Sequence, residues 1–199
     1  MCIYNKDPEQ LHQTIYSSVE RTLSYEKNKD TPNWKEKLEQ ALRSVLRLPD
    51  IPDTPPTVIV EAETITDDYK EFRFLYESEP GYFVPAHLLI PTAGTAPYPV
   101  IICIQGHGTG MHQSLGRTED GQPSETTEDA YALQAVKQGY AALVFEQRAL
   151  GESGGDPNFA EHSGKCYMAA AQAMLLGRTL VGERVFDVIR ALDVLKEFP

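Results

Sequence analysis

Hydrophobic residues recur at helical spacing near the start of the chain. Within residues 1–48, Trp34, Leu38, Leu42 and Val45 lie three or four positions apart, so they share one face of a helix. Charged and polar residues occupy most of the positions between them. The pattern predicts a helical extension that packs its apolar face on another part of the protein.

The pattern changes at residues 49–56, where four of the residues are proline. Because proline cannot continue a helix, we expect a linker here and a new domain over residues 57–199. That domain opens with three β-rich segments, 57–65, 70–78 and 81–91, which are separated by turn residues. These segments predict an antiparallel meander.

Two nearly continuous apolar segments follow, at residues 98–105 and 140–146. Such segments are typical of strands that are buried on both faces. Helical spacing between them predicts a helix, which Thr126 or Thr127 would cap and Gly139 would end. Strand, helix and strand in this order predict a parallel crossover unit.

Residues 166–198 are predicted to be mostly helical. Apolar residues at helical spacing in the second half of this segment predict a helix that covers the sheet. We expect Asp187, Arg190 and Asp193 to lie in solvent or to pair within that helix.

Composition narrows the classes of protein to consider. The chain has 199 residues, of which 41% are hydrophobic, so it can form one sizeable core. Its net charge of −11 and its lack of a basic patch argue against a nucleic-acid partner. Its apolar segments are too short for a membrane helix. The N-terminus lacks the pattern of a secretory signal, so a cytoplasmic location is expected.

The sequence gives little sign of a metal site. The three cysteines lie far apart and form no Cys-x-x-Cys pair, which suits a reducing compartment and disfavours zinc. His107 and His112 could be combined with Glu119 or Asp120, but this spacing does not place them on one face of a regular element. We therefore expect no metal and no cofactor.

Residues 151–155, Gly-Glu-Ser-Gly-Gly, fit the Gly-x-Ser-x-Gly pattern of hydrolase nucleophiles. A nucleophile elbow needs a strand that turns directly into a helix. Here the preceding strand is expected to end near Glu146, and the glycines and proline after Ser153 disfavour an immediate helix. A local triad with Glu161 and His162 would lack a rigid scaffold. Ser153 is therefore predicted to lie in a turn and not to be a nucleophile.

Four segments of the chain together resemble a known family. They are Pro-Ala-His-Leu-Leu-Ile-Pro-Thr-Ala-Gly at residues 85–94, the segments 99–110 and 142–155, and the helical segment 177–195. This combination resembles the N-terminal half of an α/β-hydrolase, close to the acetyl xylan esterase and dienelactone hydrolase branch. The resemblance implies a three-layer α/β sandwich with a mostly parallel sheet, preceded by the helical extension. It also implies that the serine of the Gly-x-Ser-x-Gly match is not catalytic.

The same resemblance implies that the fold is truncated before its nucleophile strand. The serine, the acid and the histidine would follow Pro199 in the whole protein. We therefore expect an N-terminal fragment that is inactive alone and whose partners are a small ester substrate and the C-terminal half of the same protein. Such a fragment would leave an apolar sheet edge exposed, which predicts association of the isolated chain. The sequence does not predict the oligomeric state of the whole protein.

The glycine-rich segment after the first buried strand is the candidate oxyanion loop. Gln105, Gly106 and His107 stand where relatives have His-Gly-x, so the resemblance implies that the backbone N–H of His107 is an oxyanion donor. Gly106 and Gly108 would allow close approach of the substrate. Gln105 departs from the usual histidine of the family. A phosphate-binding loop is the alternative, but neither Gly-x-Gly-x-x-Gly nor a Gly-Lys-Ser/Thr ending is present.

Two charged residues, Glu146 and Arg148, follow the second buried strand. This is the end of the strand at which α/β proteins usually bind ligands. Together with Gln105 they are candidates for the substrate pocket. We also expect Arg148 to orient a loop by pairing with a carboxylate.

These features favour a carboxylic-ester hydrolase that removes small acyl groups with a serine nucleophile. One alternative is a non-catalytic binding protein on a hydrolase scaffold. Another is a serine peptidase of the same fold.

Overall fold

The computed structural model describes residues 6–155 and 165–198. The chain forms two compact units, one that extends to Val45 and one that starts at Leu46. The helices of the N-terminal segment are α1 (Pro8–Ser18), α2 (Tyr25–Asn28) and α3 (Trp34–Leu46), the last of which reaches the boundary.

The helix predicted from the hydrophobic spacing is present as α3, although none of its residues is buried. Asp7 caps α1, because its carboxylate accepts a hydrogen bond from the backbone N–H of Glu9 at 2.9 Å. The indole N–H of Trp34 donates to the carbonyl of Leu23 at 2.9 Å. The Trp34 ring also lies 5.6 Å from the ring of Tyr25. These two contacts hold α2 against the start of α3.

A five-stranded sheet forms the centre of the second unit. Its strands are β1 (Val58–Ile65), β2 (Tyr69–Glu79), β3 (Tyr82–Pro91), β4 (Val100–Cys103) and β5 (Ala141–Phe145). Their order in the sheet is β1-β2-β3-β5-β4. The predicted antiparallel meander of β1 to β3 is confirmed, and so is the parallel pairing of β4 with β5.

The resemblance implied a mostly parallel sheet, but the described strands are mostly antiparallel. Only β4 and β5 are parallel, whereas the other three neighbouring pairs are antiparallel. The reason lies in the connections. Short turns join β1 to β2 and β2 to β3, and such turns produce antiparallel neighbours, whereas a parallel pair needs a long crossover.

Strand β4 was predicted to be buried on both faces, and this is wrong for the first half of the strand. It lies at the edge of the sheet next to β5. Val100 and Ile101 are 37% and 41% exposed, and Ile104 just after the strand is 52% exposed. Because β4 has a described neighbour on one side alone, Val100 and Ile101 stay partly exposed, whereas Cys103 at the end of the strand is 3% exposed.

The helices of the second unit cover the two faces of the sheet. They are α4 (Tyr131–Lys137), α5 (Lys165–Leu175) and α6 (Leu180–Val194), with 3-10 helices at Gly110–Leu115, Gly151–Ser153 and Leu195–Glu197. Phe74 and Tyr76 pack with Val194 of α6 on one face. Leu89 packs with Val136 of α4 on the other face. None of the described helices is long and apolar enough to span a membrane.

Helix α4 begins later than predicted. Its N-cap is Ala130 and not Thr126 or Thr127. The N–H of Ala130 bonds to the carbonyl of Thr127 at 3.1 Å, so a turn occupies the predicted first residues of the helix. The predicted end is confirmed, since Gly139 follows the helix with a φ of +84°.

The predicted solvent-exposed charges of α6 are largely buried. Asp187 is fully buried and pairs outside the helix, so the prediction is wrong for Asp187, whereas Arg190 is 3% exposed but forms an intrahelical pair. Asp187 has its partners on other elements, which the spacing along one helix cannot reveal. Arg190 donates to the carbonyls of Pro52 and Thr54 and thereby holds the proline-rich segment. Its bond to Asp193, at 3.2 Å, is the intrahelical pair that was predicted.

Candidate active site

The loops after β4 and β5 lie side by side, because these two strands are parallel and neighbouring. The carboxyl ends of parallel strands are the usual position of ligand sites in α/β proteins. Gln105 begins the first loop and is buried, whereas Gly106, His107 and Gly108 are exposed. The candidate oxyanion residues are therefore open to a ligand.

The backbone N–H of His107 has no hydrogen-bond acceptor among the described residues. Its imidazole Nε2 lies 3.2 Å from the sulfur of Cys166 at the start of α5. Arg184 Nη2 lies 3.1 Å from the same sulfur. The side chain of His107 thus has partners, while its amide is left available.

Glu146 follows β5 directly and is fully buried. The backbone N–H of Met111 lies 3.2 Å from each of its carboxylate oxygens. The backbone N–H of Glu152 donates to Oε2 at 3.2 Å, and Gln105 Nε2 donates to Oε1 at 3.1 Å. Burial raises the pKa of Glu146, and these three hydrogen bonds act in the opposite direction.

Two glycines make room for the Glu146 carboxylate. Gly110 has a φ of +65° and Gly151 a φ of +41°, conformations that L-residues rarely adopt. A Cβ atom on either glycine would also collide with the carboxylate oxygens. The match to Gly-x-Ser-x-Gly therefore has a structural explanation at its first position: Gly151 packs on Glu146.

Arg148 is the centre of a charge cluster that joins α6 to the sheet. Its Nε and Nη2 donate to Asp187, each at 2.8 Å. Its Nη2 also donates to Glu79 at 2.6 Å, and its Nη1 lies 3.4 Å from Glu183. Although burial alone would lower it, these carboxylates hold the pKa of Arg148 well above its ordinary value.

A cavity of about 330 Å³ lies beside this cluster. Arg148 and Ser153 line it, together with Tyr82, Lys165 and Met168. Of the three residues predicted to line a substrate pocket, Arg148 reaches this cavity. Gln105 and Glu146 lie beneath the candidate oxyanion loop and bond to each other.

Ser153 ends a 3-10 helix and does not start an α-helix. Its backbone N–H donates to the carbonyl of Leu150 at 2.8 Å within a turn. This setting is the turn that the sequence predicted. Glu161 and His162, the other members of the local triad considered, lie outside the described residues.

A polar network that the sequence did not predict lies on the face of the sheet below the 3-10 helix at Gly110–Leu115. Glu71 lies 2.6 Å from His87 Nδ1 and accepts two bonds from Arg117, at 2.8 and 2.6 Å. Burial alone would raise the pKa of Glu71, but these hydrogen bonds and charges lower it to about 2. Burial also lowers the pKa of His87, which favours the neutral imidazole.

A second part of this network lies next to the candidate site. Arg73 donates to both carboxylate oxygens of Glu152, at 3.2 and 2.7 Å, and His112 Nε2 lies 3.1 Å from the same carboxylate. The alternation of Glu71 and Arg73 with aromatic residues along β2 was the available signal, since it places the polar residues on one face. No group of three or more metal-ligating side chains occurs in the described ranges.

Comparisons with known proteins agree with this architecture. The model of the Abhydrolase family matches residues 13–198. A Bacteroides fragilis NCTC 9343 protein with the provisional name acetyl xylan esterase is 19% identical, with a TM-score of 0.76 over 98% of this chain and 51% of that one. The glucuronoyl esterase of Solibacter usitatus is 16% identical, with a TM-score of 0.55 over 85% of this chain and 50% of that one. No curated protein gave a match.

The chain spans about half the length of these two solved structures. At such low identities, the likeness is one of fold. The family assignment depends instead on the family model, which matches nearly the whole chain. This chain therefore belongs to the Abhydrolase family and has the fold of the α/β-hydrolases.

Proposed function

We propose that this chain provides the oxyanion loop and the first strands of a carboxylic-ester hydrolase of the acetyl esterase type. The observation that carries the proposal is the position of His107. Its backbone N–H lies in an exposed loop at the carboxyl end of β4 and has no acceptor among the described residues.

The proposed chemistry is acyl transfer. When a nucleophile attacks an ester carbonyl, the oxygen becomes negative, and a fixed N–H donor stabilises it. One such donor contributes about 3 kcal/mol to transition-state stabilisation. In this fold, one donor comes from the loop after the strand equivalent to β4, and the other is the amide that follows the nucleophile. The His107 amide would serve as the first of these donors.

The nucleophile is proposed to lie outside this chain. In the ranges that the structure describes, no serine hydroxyl is hydrogen-bonded to an imidazole. Ser78 donates to Asp187 instead, and Ser153 lies in a 3-10 turn. We propose that the serine, acid and histidine belong to a C-terminal half of the protein, which is consistent with a match to only half of each solved structure. The chain alone would then be inactive.

Labelling with a fluorophosphonate probe would test this assignment. We expect the full-length natural protein to hydrolyse p-nitrophenyl acetate and to react with the probe at a serine other than Ser153. The Ser153→Ala variant should retain both properties. Labelling of Ser153 would refute the assignment. Hydrolysis of peptides but not of acetyl esters would favour a peptidase, and the absence of any labelled serine would favour a binding protein.

A test of the His107 amide requires a substitution that alters the backbone. His107→Pro removes the N–H, whereas His107→Ala removes only the imidazole. We expect the proline variant to lower kcat by about 100-fold or more, because one oxyanion donor is lost. The alanine variant should retain kcat within a few-fold. Equal losses of kcat in both variants would mean that the imidazole, and not the amide, contributes to catalysis.

A further inference from the structure

We propose that Glu146 is a positioning residue that holds both ends of the candidate oxyanion loop. This inference deepens the proposed function and rests on it. The Glu146 carboxylate would fix the position of the His107 amide without touching the substrate.

The Glu146 carboxylate accepts hydrogen bonds from both ends of the candidate oxyanion loop. Gln105, two residues before His107, donates its side-chain N–H to Oε1 at 3.1 Å. Met111, four residues after His107, donates its backbone N–H to the carboxylate at 3.2 Å. Residues 105–111 therefore begin and end on the same carboxylate, which restricts the positions that His107 can take.

The same carboxylate connects this loop to the loop after β5. Glu152 donates its backbone N–H to Oε2 at 3.2 Å. The Glu146 backbone N–H itself donates to the carbonyl of Pro85 on β3 at 2.8 Å. The side chain is thus fixed to the sheet, and both loops are fixed to the side chain.

Stability alone does not account for a carboxylate at this position. Glu146 is fully buried, and no lysine, arginine or histidine of the described residues forms an ion pair with it. Burial of a carboxylate without an ion-pair partner is unfavourable, and its hydrogen bonds must offset that cost. What the carboxylate provides is the ability to accept hydrogen bonds from three separate donors at once, which an apolar side chain lacks.

The two glycines add independent support. Gly110 immediately precedes Met111, and Gly151 immediately precedes Glu152. Both have positive φ and both leave no room for a Cβ atom against the carboxylate. The backbone on both sides is therefore shaped to bring its N–H groups onto Glu146.

The test uses Glu146→Gln in the full-length natural protein, with Glu71→Gln as the matched control. Both changes neutralise a buried carboxylate, but Glu71 is not bonded to the loop. We expect Glu146→Gln to lower kcat by about 10- to 100-fold, because small displacements of a catalytic group have effects of this size. KM should change little, and Glu71→Gln should retain kcat within a few-fold.

Hydrogen exchange gives a second measurement that does not depend on activity. We expect exchange of the Met111 and Glu152 amides to become at least about tenfold faster in Glu146→Gln, since a single opening event then costs less. Glu71→Gln should leave these amides unchanged. If Glu146→Gln does not fold, Glu146→Asp, which keeps the charge on a shorter side chain, takes its place.

The outcomes separate the two levels of the proposal. Faster exchange with an unchanged kcat would mean that Glu146 is structural only, and unchanged exchange would show that it does not hold the loop. Both results overturn the inference. If the wild-type protein has no esterase activity, the proposed function fails, and the exchange measurement still decides whether Glu146 holds residues 105–111.

Discussion

Arg148 connects three elements through carboxylates that lie far apart in the sequence. Asp187 on α6 accepts two of its hydrogen bonds, and Glu79 at the end of β2 accepts another. Asp187 is fully buried, so its charge depends on this guanidinium. Burial alone raises the pKa of Asp187, and the bonds from Arg148 oppose that rise.

Removal of the guanidinium should therefore be costly. We expect Arg148→Met to reduce the free energy of unfolding by about 3–5 kcal/mol, because a buried carboxylate loses its partner. Urea unfolding of the purified protein measures this change. The exposed pair of Arg43 and Glu39 gives a control, and Arg43→Met should cost less than about 1 kcal/mol. The double variant with Asp187→Asn should recover part of the loss, and no recovery would contradict the argument.

Glu71 should make stability depend on acid pH. Its pKa is lowered from 4.5 to about 2 in the folded state, so the ionised form stabilises the fold. This contribution is fully present above pH 4.5 and is lost as the pH falls toward about 2. It amounts to at most about 3 kcal/mol.

The measurement compares wild type with Glu71→Gln in urea at pH 5 and near pH 2.5. We expect the wild type to lose more unfolding free energy between these two pH values than the variant does. The variant cannot gain or lose a proton at this position, so its pH dependence should be smaller. An identical loss in both proteins would exclude Glu71 as its source.

Strand β4 is an apolar edge strand of the sheet. Its Val100 and Ile101 are more than a third exposed, and the strand contains no charged residue. Unprotected apolar edge strands tend to pair with other chains. Strand β1 forms the opposite edge, but Glu61 and Glu63 interrupt its apolar residues.

We therefore expect the isolated chain to self-associate through β4. Ile101→Lys should reduce the associated fraction in sedimentation velocity, because a lysine on an edge strand disfavours pairing. Ile59→Lys on β1 is the matched control and should leave association unchanged. A monodisperse wild-type monomer, or an equal effect of both substitutions, would refute the role of β4.

The elements also show which features local sequence can predict. The meander β1 to β3 was predicted because β-rich segments and the turn residues between them are local features of the sequence. The start of α4 was misplaced because the carbonyl of Thr127 accepts a bond from Ala130 in a turn, which competes with a helix. The exposure of β4 was missed because an apolar strand has the same sequence pattern whether it lies in the middle or at the edge of a sheet.

The candidate site was also predictable only where its features are local in the sequence. The glycine-rich loop after β4 was found from its position after an apolar strand, with the family resemblance supplying the role of His107. The partners of Glu146 were not found, because its donors come from two different loops and two of them are backbone groups. Asp187 was misjudged because its partner Arg148 lies on another element.

For the whole molecule, the proposed function rests on the family assignment and on the matches to half of each solved structure. The described part contains a sheet covered on both faces and a candidate oxyanion loop. Its match to about half of each solved structure is the reason that the nucleophile is proposed, and not shown, to lie in another part of the protein. The two alternatives, a binding protein and a peptidase, share this scaffold and differ in what that part contains.

The bonds that Thr179 and α6 make to residues 46–54 determine where the chain can be shortened. Thr179 donates its hydroxyl to the carbonyl of Leu46 at 2.7 Å, and Arg190 donates to Pro52 and Thr54. Composition alone suggests that a shortened chain could begin at Thr57. That choice would remove two hydrogen-bond acceptors of the buried Arg190 guanidinium. A shortened version of this domain should instead begin at or before Leu46, so that the prolines are retained as part of the folded body.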